Sequence, residues 1–289
     1  MTDHAALARE WQEALGRRKG LAASLGFWTV VLEGWSRWPE ESVRPLRWSP
    51  LECRERWERG VPLAAEVDPE LPRDRVEELV GPVMEQLAGL GGDAAESLQR
   101  FAAAWDGGAV GPRDLMPVAG KDGAAARDER LGLGTTFVSF LALAGLRPGL
   151  ERYFAATREL PEGIWTPGVC PWCGGMPGYG DLVEDGRRRL SCHLCGGAWV
   201  FAKLRCPFCG VDGAKHLVRL TPEEAREEGY VISACRECRA YTKELDRRVR
   251  WNGGPPLVED WGSPHYDLIA RRQQYWRPDA SIVLLAGAR

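Results

Sequence analysis

The sequence predicts an α+β chain in which an N-terminal helical domain precedes two tandem cysteine-rich modules. Three observations carry this. Apolar residues recur at helical spacing along the first half. Eight of the nine cysteines fall in four C-x-x-C pairs between Cys170 and Cys238. The composition changes at Leu160-Pro161-Glu162-Gly163, beyond which Gly, Pro and Cys clusters separate short stretches of β character. A chain of 289 residues suits one large domain or two ordinary ones, and 44% apolar against 27% charged residues is enough for a sizeable core. Thirteen tryptophans are expected to serve surfaces or grooves as well as cores.

Taken in order, Leu7, Trp11 and Leu15 form a first helical stripe. The segment from Trp38 to Pro72, rich in Pro, Trp and Arg, reads as loop with one helix near Leu51 to Trp57. Val76, Leu79, Val80, Val83, Met84 and Leu87 share one helix face, and Pro82 predicts a kink or a new start there. Asp93 followed by Glu96 resembles a capping box, ahead of a stripe at Leu98, Phe101, Ala102 and Trp105. Leu131 to Leu146 is the most apolar stretch; it is shorter than the roughly 20 residues of a membrane span and predicts a buried helix. Glu184-Asp185-Gly186, flanked by Gly180–Val183 and Arg189–Ser191, is a hairpin signal. Towards the end a helix is expected around Tyr266 to Tyr275 and a strand at Ser281–Leu285.

Several functional classes are disfavoured. The polar start lacks an apolar run, so no secretory signal is expected, and the chain reads as soluble and intracellular. Formal net charge is −3, divided as −6 over residues 1–163, +3 over 164–250 and 0 over 251–289. Eight thiolates on two divalent ions would cancel the surplus of the middle region, which argues against a phosphate-binding surface. No Walker loop, G-x-G-x-x-G or G-x-S-x-G is present, and no catalytic constellation stands out.

The cysteines are the strongest signal. Two residues between paired cysteines let the chain curl around one ion, and two such knuckles supply four sulfurs at tetrahedral corners, a set that selects zinc or iron. Cys170-Pro171-Trp172-Cys173-Gly174 returns as Cys206-Pro207-Phe208-Cys209-Gly210, which suggests a duplicated module. Cys170, Cys173, Cys192 and Cys195 then form one site, and Cys206, Cys209, Cys235 and Cys238 the other; spacing alone leaves an interleaved pairing open. Glycine after the second cysteine suits a turn with positive φ, as at Gly174, Gly196 and Gly210. Arg239 breaks that rule, so a less regular fourth knuckle is expected. A redox dithiol or a disulfide is the alternative for any single pair, but four pairs without a βαβ setting favour metal. His193 is not needed as a ligand, His216 and His265 read as ordinary surface or hydrogen-bonded residues, and Cys53 as a small core residue.

The segments 170–177, 190–199 (Leu-Ser-Cys-His-Leu-Cys-Gly-Gly-Ala-Trp), 205–210 and 234–243 (Ala-Cys-Arg-Glu-Cys-Arg-Ala-Tyr-Thr-Lys) resemble the FdhE family of formate dehydrogenase accessory proteins. The resemblance implies a helical domain over 1–163, rubredoxin-like or zinc-ribbon four-cysteine modules over 164–204 and 205–250, and an extension over 251–289 packed on them. It implies two ions, iron or zinc, and a non-catalytic cytoplasmic factor needed for active formate dehydrogenase. The implied partner is the catalytic subunit of that enzyme, with no nucleic acid and no membrane insertion. Trp199, Tyr241 and Lys243 match motif positions without a role. The family's Gly-Tyr-x-Arg stretch is only faintly echoed at Tyr275-Trp276-Arg277-Pro278. Trp165, Trp172 and Phe208 are candidate partner anchors, or else padding for the metal sites. A rubredoxin-like electron carrier and a nucleic-acid-binding zinc ribbon are the alternative functions.

Overall fold

A computed structural model of the chain describes residues 2–17, 26–88, 93–118, 131–132, 135–220 and 227–278. The first half is helical: α1 (His4–Arg17), α2 (Phe27–Ser36), α3 (Pro50–Glu58), α4 (Arg73–Ala88), α5 (Asp93–Asp106) and α6 (Thr135–Tyr153). α1 packs on α2, α2 on α4, and α4 on both α5 and α6. The stripes read from the sequence face this core, with Leu7, Trp11, Val76, Val80, Val83, Leu98, Phe101 and Trp105 all buried. α3 starts at a complete capping box, in which the Ser49 side chain accepts from the Glu52 amide and Glu52 accepts from the Ser49 amide at 2.7 Å.

Pro82 does not restart α4, which runs on through it as one helix. The amide that proline lacks would have bonded the carbonyl of Glu78. Pro82 and Glu78 are both exposed, so water can take that carbonyl and the helix tolerates the loss. α6 is buried along most of its length, as the apolar stretch predicts, although its described part starts at Thr135. Gly145 lets α6 approach α4 closely, because a Cβ there would collide with Val80 and Val76. The side chain of Asp93 and the expected strand at 281–285 lie outside the described residues.

Among the described residues six short strands follow: β1 (Tyr179–Leu182), β2 (Arg188–Ser191), β3 (Ala198–Phe201), β4 (Leu217–Leu220), β5 (Tyr230–Cys235) and β6 (Tyr241–Asp246). They form one sheet in the order β3-β2-β1-β6-β5-β4. β1 and β2 are the hairpin read from the sequence, closed by Val183 donating to Arg187 and by Gly186 at φ 80°. The contact between the two strand triplets is the parallel pair β1–β6, with Gly180 opposite Glu244. The last two helices among the described residues, α7 (Pro256–Trp261) and α8 (Pro264–Arg272), return over the molecule, and α7 packs on both β1 and α1.

Two apolar cores result. The larger joins the helices to Cys170, Cys173, Cys192, Cys195, Trp172 and Trp261; the smaller joins β5, β6 and α8 around Tyr179, Ile232, Tyr241 and Tyr266. Most of the thirteen tryptophans are buried, while Trp251 and Trp276 are exposed. No helix among the described residues is long and apolar enough to cross a membrane.

Candidate metal centres

Each C-x-x-C pair closes the same backbone turn. The residue after the second cysteine donates back to the first cysteine's carbonyl: Gly174 to Cys170, Gly196 to Cys192, Gly210 to Cys206 and Arg239 to Cys235, at 2.9–3.0 Å. The first cysteine's amide in turn donates to a carbonyl five residues ahead, at Gly175, Gly197, Val211 and Ala240. The turn needs positive φ at its close, and the three glycines take 70–77°. Arg239 takes 61° as well, so the fourth knuckle is as regular as the others, contrary to expectation. Its side chain offsets the strain by donating to the carbonyls of Gln273 and Gln274 while its guanidinium lies 3.9 Å from the Tyr275 ring centre.

The knuckles meet in sequence order. Cys170, Cys173, Cys192 and Cys195 form one group and Cys206, Cys209, Cys235 and Cys238 another, each with all sulfurs within 4.8 Å of one another. Sulfur–sulfur distances are 3.4 Å for Cys170–Cys195, 3.5 Å for Cys173–Cys192, and 3.7 Å for both Cys206–Cys238 and Cys209–Cys235. A tetrahedron with metal–sulfur bonds of about 2.3 Å has edges of about 3.8 Å, whereas a disulfide needs about 2.05 Å. Both groups therefore fit one four-coordinate ion each, and the donor chemistry suits zinc or iron.

Their surroundings differ. All four sulfurs of the first group are buried. The first knuckle is wrapped by the helical half: Trp57 and the Leu63 amide donate to the Pro171 carbonyl at 3.0 Å, and Ala64 donates to Trp172 at 2.8 Å. Against the penalty of burial, hydrogen bonds from Cys170, Cys173 and Cys192 and the charge of Arg158 hold Cys195 well below the usual thiol range. In the second group Cys209 is exposed and Cys238 half-buried. A hydrogen bond from Cys238 brings Cys206 down to about 5, while Cys238 is raised by the same bond. Cys206 and Cys235 line a cleft of about 230 Å³, whose walls include Leu182, Pro207, Phe208 and Val218.

No protein-family model matches the chain. A protein FdhE homolog of Aquifex aeolicus is 27% identical over 160 residues, covering 53% of this chain and 54% of that protein. Another from Pseudomonas aeruginosa is 30% identical over 131 residues, covering 41% of this chain and 40% of that protein. The chain thus spans about half or less of the length of these curated relatives. A crystal structure of the FdhE protein from Pseudomonas aeruginosa superposes with a TM-score of 0.58 over 100% of this chain and 98% of that one, at 20% identity, and so shares the fold. The curated relatives bear the FdhE name, and the fold is similar to that of an FdhE protein.

Within this FdhE-like fold, the part that sequence reading missed is a buried network joining β6 to α7 and α8. Lys243 of β6, fully buried, donates to Asp267 at 2.7 Å and lies 2.9 Å from Asp260. Tyr241 donates to the other oxygen of Asp267 at 2.6 Å. Arg277 bonds both carboxylates and the Gly178 carbonyl. His193, inside the second knuckle but outside the sulfur cluster, places Nε2 3.0 Å from Asp260. Lys243 and Tyr241 thereby gain a role in locking β6 to α7 and α8, and the faintly echoed tail supplies the central cation. Trp199 is a buried core residue. Trp165 and Trp172 are buried too, with indole bonds to Val169 and Thr157, so they pad the first module and cannot anchor a partner; Phe208 remains half-exposed. Cys53 is buried, and His216 and His265 pair with Glu237 and Glu227.

Proposed function

We propose that the chain is a non-catalytic, cytoplasmic maturation factor for formate dehydrogenase. In this reading Cys170, Cys173, Cys192 and Cys195 hold one ion, and Cys206, Cys209, Cys235 and Cys238 a second. The metal-bearing C-terminal part binds the catalytic subunit of the enzyme. The observation that carries the reading is the FdhE likeness, found both in curated relatives and in the fold along the whole chain. The free side of the second centre is the contact region that best supports it. There the exposed Leu204 and Trp276 and the half-exposed Phe208 surround sulfurs that solvent can reach. Apolar side chains around an apolar cleft are suited to anchor a partner.

The test uses a strain lacking the gene. Formate oxidation is expected to fall while catalytic-subunit synthesis continues, and tagged protein is expected to retain that subunit. Undiminished formate oxidation in a strain with no second copy refutes the reading.

A further inference from the structure

We infer that the two four-cysteine centres are chemically unequal: the second is an exchange site whose ion an external soft donor can take over by displacing Cys209, while the first keeps its ion as part of the core. The inference rests on the metal-binding reading above and deepens it.

All four cysteines of the first centre are buried. Cys170 and Cys195 are 0% exposed, and the knuckles around them sit within the helical core. A divalent ion with four thiolates carries two net negative charges, and burying them is costly without a countercharge. Arg158 supplies one, with Nη1 3.8 Å from the Cys195 sulfur and Nη2 2.5 Å from its carbonyl. Of these four cysteines, Cys192 borders an outer cleft beside Arg147 and His193 but is only 2% exposed, and none of the four faces solvent as Cys209 does.

The second centre is reachable from two sides. Cys209 faces solvent and Cys238 is half-buried. Cys206 and Cys235 border the cleft, which is lined largely by apolar groups and is wide enough for a side chain. Water can solvate the net charge that Arg158 offsets at the first centre. Exchange at such an ion is a ligand substitution. A thiolate or other soft donor bonds to the metal as the metal–Cys209 bond breaks, and the Cys209 sulfur leaves with its electron pair into water. No electron changes hands, and the ion keeps its charge. The apolar lining favours a donor borne on an apolar segment over one free in solution.

The test uses the full chain loaded with two zinc ions and challenged with excess 4-(2-pyridylazo)resorcinol, with iodoacetamide pulses and peptide mapping. One ion is expected to leave roughly tenfold or more faster than the other, as local opening allows. Pulses during the fast phase should label Cys206, Cys209, Cys235 and Cys238 and spare the first four cysteines. Cys209→Ser should speed the fast phase and leave the slow phase unchanged. Release of both ions in a single phase, or early labelling of Cys170 or Cys195, overturns the inference while the metal reading stands. A chain that never holds two sulfur-bound ions removes the metal reading, and the inference with it.

Discussion

Arg277 grips both carboxylate oxygens of Asp260, each at 2.8 Å, from 17 residues further along the chain. The pair is buried together with Lys243 and Asp267, so two cations face two carboxylates with almost no water. Arg277→Ala leaves the carboxylates short of one cation and is expected to cost about 3 kcal/mol or more. Arg277→Lys keeps the charge but loses the two-pronged geometry, so it should recover only part of that. Urea unfolding of the metal-loaded protein measures both, and an alanine variant as stable as the parent would contradict the network's role.

Acid should loosen the same junction. Against the penalty of burial, Arg277, Lys243 and His193 hold Asp260 well below the usual carboxylate range. A depressed folded-state value contributes stability that is complete above the unfolded value of about 3.9 and is lost as pH falls from there towards the folded value. The stability gap between the parent and Asp260→Asn is therefore expected to be constant around neutrality and to narrow below about pH 4. A gap that widens in acid would reverse the sign.

Trp261 ties the last helices to the first. Its ring stacks on Trp28 at 3.5 Å and 10°, and the Trp11 ring stands edge-on to it with centres 5.9 Å apart. Trp261→Ala should cost about 3–5 kcal/mol. Limited proteolysis should then cut near α7 before it cuts α4 or α6.

Arg239 tests strain against contacts. Its left-handed backbone costs about 1–2 kcal/mol for a residue with a Cβ. Arg239→Gly removes that cost but also the bonds to Gln273 and Gln274, and should be nearly neutral. Arg239→Ala keeps the strain without the bonds and should be the less stable of the two by about 1 kcal/mol. Thermal unfolding of the two variants ranks them directly.

Loss of each metal should have a different reach. Binding of a structural zinc supplies on the order of 10 kcal/mol to a small ribbon. Because the first four cysteines lie in the core of the helical half, Cys195→Ser should lower the stability of the helices as well. Cys238→Ser should disorder the second module and leave far-UV helicity intact. Equal loss of helicity in both variants would contradict the division into two cores.

What the sequence made legible was local. Knuckle residues lie within five positions of their hydrogen-bond partners, the β1–β2 turn announces itself by Asp185-Gly186, and helical stripes repeat every three or four residues. The junction network was not legible, because its members are distant in the chain and each looks ordinary alone. Asp260 and Asp267 belong to no motif, and Lys243 matches a motif position without a role. Only the return of α7 and α8 over β6 brings them together. Arg239 misled, and the new start allowed for at Pro82 did not occur, for a related reason. The rule against each assumes that nothing compensates, whereas solvent supplies the missing partner in one case and the Gln273 and Gln274 carbonyls supply it in the other.

The strand order has one further consequence. By their place between knuckles, β1, β2 and β3 correspond to β4, β5 and β6, and the sheet reads β3-β2-β1-β6-β5-β4. The duplicated units are therefore joined by translation, the leading border of one against the trailing border of the next, with no two-fold axis between them. A rotation would have given both units identical neighbours. A translation cannot, since one unit packs into the core of the N-terminal helices and the other packs against α8. Twin motifs thus reside in permanently different environments.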